Sequence, residues 1–131
     1  MIIGVGVDIV DIERIDSLLR KFGEHFIRKI YTPAEVCFCR KRVEIGSALA
    51  KMYALKEATI KALSEAKGIR WHDIEVLHDR HGKPVINLSG VALANARTKS
   101  KHFNIQASVS DEKQYAVAYV VVETCDVKVP A

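Results

Sequence analysis

The chain has 131 residues, 49% of them hydrophobic and 27% charged, which fits one domain with a real core and excludes a disordered or fibrous chain. Its longest apolar stretches, such as residues 116–122, are far too short to span a bilayer, and residues 1–7 lack a basic leader and run into Asp8, so a cytoplasmic protein is expected. The net charge of +4 is uneven: from Arg14 to Arg42 eight basic residues stand against three acidic ones, a local +5 that suits an acidic partner surface and equally reads as a solvated helix face; no nucleic-acid or membrane partner is expected.

Residues 2–10 are rich in β-branched side chains and predict a buried strand in which Gly4 and Gly6 permit close backbone approach. Asp11 is placed to cap a helix on which Ile12, Ile15, Leu18, Leu19 and Phe22 recur at helical spacing, and Gly23 reads as its stop. Thr32-Pro33-Ala34-Glu35 has the order of a capping box with proline in the first helical turn. The odd set of cysteines, Cys37, Cys39 and Cys125, has neither zinc nor Cys-x-x-Cys spacing, so reduced thiols are expected.

After Gly46, Ser47 is the expected cap of a long helix reaching about Ala66 and closed by Gly68. Residues 73–78 and 85–88 read as two strands joined by a turn over residues 79–84. Ser89 should cap a shorter helix to about Lys101, and two final strands are expected over residues 104–110 and 114–123. Helices and antiparallel strands in this order give an α+β fold: a single small domain over residues 1–125 whose antiparallel-rich sheet packs on the long helix, with residues 126–131 as a frayed tail.

Two acidic elements carry the chemistry. Asp8 interrupts an apolar strand, where an unpaired carboxylate is costly, and Glu57 and Lys61 lie four apart on one helical face. If strand end and helix face meet, Asp8 and Glu57 form the carboxylate pair that magnesium takes, with water and phosphate in its remaining positions, and Lys61 adds a cation beside a phosphoryl group. Taken singly, Asp8 also reads as a strand-end residue and Glu57 with Lys61 as a surface ion pair. Gly82-Lys83-Pro84 reads either as a phosphate contact or as a plain hairpin turn. No Walker loop, dinucleotide fingerprint, nucleophile elbow or zinc signature is present.

Four segments taken in order resemble one known family: Gly4-Val5-Gly6-Val7-Asp8-Ile9-Val10 with Arg14-Ile15; residues 54–62 around Lys56-Glu57-Ala58-Thr59-Ile60-Lys61; Asp73-Ile74-Glu75-Val76 leading to Gly82-Lys83-Pro84; and residues 107–111 before Tyr115-Ala116. They are similar to the small bacterial 4′-phosphopantetheinyl transferases, the holo-acyl-carrier-protein synthases. The resemblance implies that coenzyme A gives its phosphopantetheine arm to a serine of apo-acyl carrier protein, releasing adenosine 3′,5′-bisphosphate, in fatty acid biosynthesis. It implies a magnesium ion on Asp8 and Glu57, Lys61 at the transferring phosphate, Gly82, Lys83 and Pro84 near the coenzyme, and a homotrimer with sites between subunits. It carries Arg14 onto the carrier contact, with Arg20, Lys21 and Arg28 as helpers by location. It leaves open whether Glu57, a metal-bound water or another group takes the serine proton.

The chain departs from the family pattern at three places. Asp111 stands where many relatives have histidine, Met52 where arginine is frequent, with Lys51 as a substitute, and Ser64-Glu65-Ala66-Lys67-Gly68 replaces a more glycine-rich turn. The competing reading from another class is a noncatalytic adaptor that docks an acidic protein on the Arg14 to Arg42 surface.

Overall fold

The computed structural model describes residues 1–125, so the expected tail, residues 126–131, lies outside the described residues. Strand β1 (Ile2–Asp11) is followed by helices α1 (Ile12–Phe22), α2 (Glu24–Ile30), α3 (Pro33–Arg40) and α4 (Ile45–Leu63). A single 3-10 turn over Trp71–Asp73 leads into β2 (Ile74–His78) and β3 (Pro84–Leu88), then α5 (Gly90–Lys99), β4 (Phe103–Asp111) and β5 (Tyr115–Thr124). The strands form an antiparallel sheet in the order β1-β5-β4 and a separate β2-β3 hairpin. The fold is the expected α+β architecture.

Local chemistry sets the helix boundaries. Asp11 caps α1, its Oδ1 accepting from the Glu13 amide at 2.9 Å, and Gly23 ends the helix at φ +54° with its N–H donated to Leu19. The same glycine starts α2, a helix absent from the sequence expectation because a stop signal there doubles as a start. The capping box of α3 forms as expected between Thr32 and Glu35.

Helix α4 differs at both ends from the expected span. It begins at Ile45, with Glu44 at the cap position, so Ser47 lies inside it and its hydroxyl donates to Asp111 Oδ2 at 3.0 Å instead of capping. It ends at Leu63 because Ser64 adopts the left-handed conformation, φ +66°, and Gly68 belongs to a later turn.

One face of the three-stranded sheet carries α4. Even-numbered residues of β1 and β5, among them Val10, Ala116, Ala118, Val120 and Val122, are buried against it, whereas Val5, Val7, Ile9, Val117 and Tyr119 on the other face are exposed. Contact between α4 and β1 is close enough to demand glycine. A Cβ on Gly4 would lie 2.0 Å from the Ala62 carbonyl oxygen, and one on Gly6 1.9 Å from that of Ala58. Both obstacles are backbone, which cannot rotate away. Gly6→Ala is therefore expected to destabilise the fold by about 2–3 kcal/mol, the upper range of overpacking, read as a lower urea midpoint. An unchanged midpoint would contradict the close approach.

Candidate active site

The approach of α4 to β1 brings the two acidic elements together. Gly4 meets Ala62 and Gly6 meets Ala58, so strand and helix run in opposite directions and Asp8 arrives beside the turn of α4 that holds Glu57 and Lys61. Lys61 closes the junction: its Nζ donates to the Val7 carbonyl at 2.9 Å and lies 3.2 Å from Asp8 Oδ1. Asp8 is only 15% exposed at the side chain and Lys61 is 54% exposed, so a mostly enclosed carboxylate is matched by a cation whose other side faces solvent. Asp8 is thus paired, as an interrupted apolar strand requires.

Glu57 is held in a more conflicted field. Burial first, and the Asp8 charge second, push its carboxyl above the usual carboxylate range, while the Lys61 charge, the nearby Tyr53 hydroxyl and the Arg14 charge pull it down. Two carboxylates brought into one field from separate elements form a donor set suited to a hard divalent cation. Among the described residues no group of three or more His, Cys, Asp or Glu side chains is arranged to hold a metal. A magnesium ion that takes one or two carboxylates and completes its shell with water and phosphate does not need a third.

Tyr53, one turn before Glu57, is the residue that sequence reasoning missed. Arg14 Nη2 donates to its hydroxyl at 3.2 Å, the guanidinium lies 5.5 Å from its ring centroid, and Trp71 packs at 5.2 Å. Burial, then the Glu57 charge, raise the Tyr53 phenol above its ordinary pKa, so it keeps its proton at neutral pH. The i, i+4 spacing to Glu57 was the available signal.

Lys56 has the opposite fate to its neighbour. Its side chain is 0% exposed and its Nζ makes three contacts: Glu35 Oε1 at 2.9 Å, the Trp71 carbonyl at 3.0 Å and the Ile74 carbonyl at 2.6 Å. It is a structural residue inside a motif whose other charged members face the site.

The remaining expected site residues lie elsewhere. Gly82, at φ +82°, and Lys83 occupy the tip of the β2-β3 hairpin, and Pro84 opens β3. Lys83 Nζ donates to Gln106 on β4 at 3.1 Å. Gln106 pairs with Val121, and Val121 with Val5, so this contact sits on the face away from α4 and two strands from β1, about 10 Å across the sheet. One chain does not bring the hairpin to Asp8, Glu57 and Lys61. Arg20 is paired with Glu13 at 2.6 Å, Lys21 lies over the Phe22 ring, and Arg28 is exposed on α2. On the α1-α2 side a groove of about 360 Å³ is lined by Leu18, Phe22, Phe26, Tyr53 and Trp71 with Lys29 as its basic member, and none of Arg14, Arg20, Lys21 and Arg28 lines it. A larger concavity, about 630 Å³ between α2 and α3, contains none of the three central residues.

The departures from the family pattern also have places. Asp111 accepts from Ser47 and lies 3.7 Å from Lys51 Nζ. Met52 is buried, 2% exposed, with the Cys39 thiol 3.5 Å from its sulfur, so the side chain at this position is a core group. All three cysteines are unpaired thiols, Cys39 buried and Cys37 and Cys125 exposed.

The sequence profile of the 4′-phosphopantetheinyl transferase superfamily matches residues 4–120, nearly the whole described chain. The chain belongs to that superfamily. A holo-[acyl-carrier-protein] synthase of Vibrio cholerae is 42% identical over 125 residues, covering 94% of this chain and 98% of its own. Among solved structures, the holo-[acyl-carrier-protein] synthase of Neisseria meningitidis superposes with a TM-score of 0.83 at 35% identity, covering 95% of this chain and 100% of that one. The Helicobacter pylori enzyme, solved in complex with coenzyme A, superposes with a TM-score of 0.79 at 30% identity over 91% of this chain and 99% of its own. The phosphopantetheinyl transferase fold expected from the sequence is therefore the observed one.

Proposed function

We propose that this phosphopantetheinyl transferase works at the Asp8–Glu57–Lys61 junction, moving the 4′-phosphopantetheine arm of coenzyme A onto a serine of apo-acyl carrier protein. The observation that carries the assignment of the site is the seating of Lys61 on Asp8 and the Val7 carbonyl, with Glu57 in the same electrostatic field. Asp8 and Glu57 would hold magnesium, which when bound neutralises the pyrophosphate of the coenzyme. Lys61, with its ammonium half-exposed, places positive charge where the phosphoryl group is transferred. The P–O bond to adenosine 3′,5′-bisphosphate breaks as the serine oxygen bonds to phosphorus, and the serine proton leaves to a base within hydrogen-bond reach.

Arg14, Arg20, Lys21 and Arg28 on α1 and α2 form the carrier-docking surface, because their positive charge complements an acidic protein. Gly82, Lys83 and Pro84 contact the coenzyme from a neighbouring subunit of a homotrimer. Two features support this reading: their separation from Asp8 within one chain, and the exposed apolar face of Val5, Val7, Ile9, Val117 and Tyr119, which a second copy would cover. Residues 1–125 form the transferase domain, acting in the cytoplasm in fatty acid biosynthesis; no described helix is long and apolar enough to cross a membrane.

The experiment is intact-mass analysis of apo-acyl carrier protein incubated with coenzyme A and the protein, with magnesium or with a chelator. A mass gain of one phosphopantetheine in the magnesium arm alone is the expected result. Carrier binding with no gain in either arm would favour the adaptor reading, and an equal gain in both would remove the metal from the proposal.

A further inference from the structure

The Arg14 guanidinium on α1 and the ring of Tyr53 on α4 are joined through one hydroxyl. Arg14 Nη2 donates to Tyr53 OH at 3.2 Å, and Tyr53 lies one helical turn before Glu57 on α4. A guanidinium can only donate, so the phenol oxygen accepts from Arg14 and keeps its own proton. The ring itself is held between the Arg14 guanidinium and Trp71, and it forms part of the wall of the apolar groove on the α1-α2 side. A hydrogen bond from a charged donor is stronger than a neutral one, so the phenol oxygen is a firm seat for the guanidinium.

We infer that Tyr53 is a positioning residue that holds the Arg14 guanidinium against α4, one turn from Glu57, so that the acceptor protein docks in line with the site of transfer. This rests on the proposed role of Arg14 at the carrier contact. A phenylalanine at this position would keep the ring, the Trp71 packing and the groove wall, and would lose only the oxygen. Arg14 would then be free to swing over an exposed surface.

Tyr53→Phe is the test, with Arg14→Ala and the double variant measured beside it at saturating magnesium. The expected result is a rise of about three- to ten-fold in KM for apo-carrier protein, the worth of one hydrogen bond, with KM for coenzyme A and the melting temperature unchanged. In the Tyr53→Phe background the penalty of Arg14→Ala should shrink by about the same factor, because the arginine has already lost its orientation. Additive penalties, or a parallel rise in KM for coenzyme A, would overturn the positioning role. So would an Arg14→Ala variant that binds the carrier normally, and that outcome would also remove Arg14 from the docking surface. Mass gain by the wild-type protein reports separately on the transferase site, so failure there is distinguishable from failure of the Tyr53 inference.

Discussion

Glu57→Gln is expected to lower the rate of phosphopantetheine transfer by at least about 100-fold while leaving the protein as stable as before or slightly more stable. The loss follows from taking a full charge off one of two groups proposed to hold the metal. The stability half follows from the sign of the Glu57 shift. Burial and Asp8 raise its folded-state pKa, so the protonated form is favoured by folding, and the ionised form at neutral pH works against it. The stability linked to that proton is fully present below the unfolded carboxylate range and is lost as pH rises through the raised folded value. Metal-free Glu57→Gln should therefore melt at or above the wild-type temperature at pH 7, and the difference should vanish as pH falls through the carboxylate range. A variant that loses activity together with several degrees of melting temperature would mean that Glu57 is structural.

This pairing of a conflicted carboxylate with a close-packed support explains which parts of the protein were legible in its sequence. Signals that act within a few residues were read correctly: Asp11 as a cap and Thr32 with Glu35 as a capping box. Signals that depend on which of two nearby candidates wins were misplaced. Ser47 has the chemistry of a cap, yet its hydroxyl is taken by Asp111, 64 residues away, and the helix starts before it. Ser64 takes the left-handed conformation that the later Gly68 was expected to supply, because the chain turns as soon as Leu63 is buried. Asp8, Glu57 and Lys61 could be nominated from order and spacing, but their meeting depends on Gly4 and Gly6 admitting the α4 backbone. Tyr53 was not nominated at all, since an aromatic residue within an apolar helix looks like core until Arg14 is seen to reach its oxygen. The hairpin residues Gly82, Lys83 and Pro84 were nominated mainly by resemblance, and within one chain they lie apart from Asp8.

Breaking the Glu35–Lys56 pair from one side is expected to have the largest effect on stability. Lys56 spends its three N–H groups on Glu35, Trp71 and Ile74, and Glu35 receives the Thr32 amide at 2.8 Å and the Val76 amide at 2.7 Å besides Lys56. The pair thus ties α4 to the start of α3, to the 3-10 turn and to β2, with both side chains fully buried. Burial lowers the Lys56 pKa and Glu35 opposes that shift, so each charge depends on the other to remain in the core. Lys56→Met leaves the carboxylate with backbone donors alone and should cost about 3–5 kcal/mol. At fixed protein concentration this corresponds to a melting temperature lower by at least about 10 °C. Adding Glu35→Gln removes the stranded charge but retains an acceptor for Thr32, so the double variant should lose about 1–3 kcal/mol less than the two single losses together. Strict additivity would show that the charges are solvated independently. Because Lys56 precedes Glu57 directly, any variant that loosens this anchor should also lower transfer, in proportion to its effect on the fold. Glu57→Gln, by contrast, should abolish transfer without loosening anything.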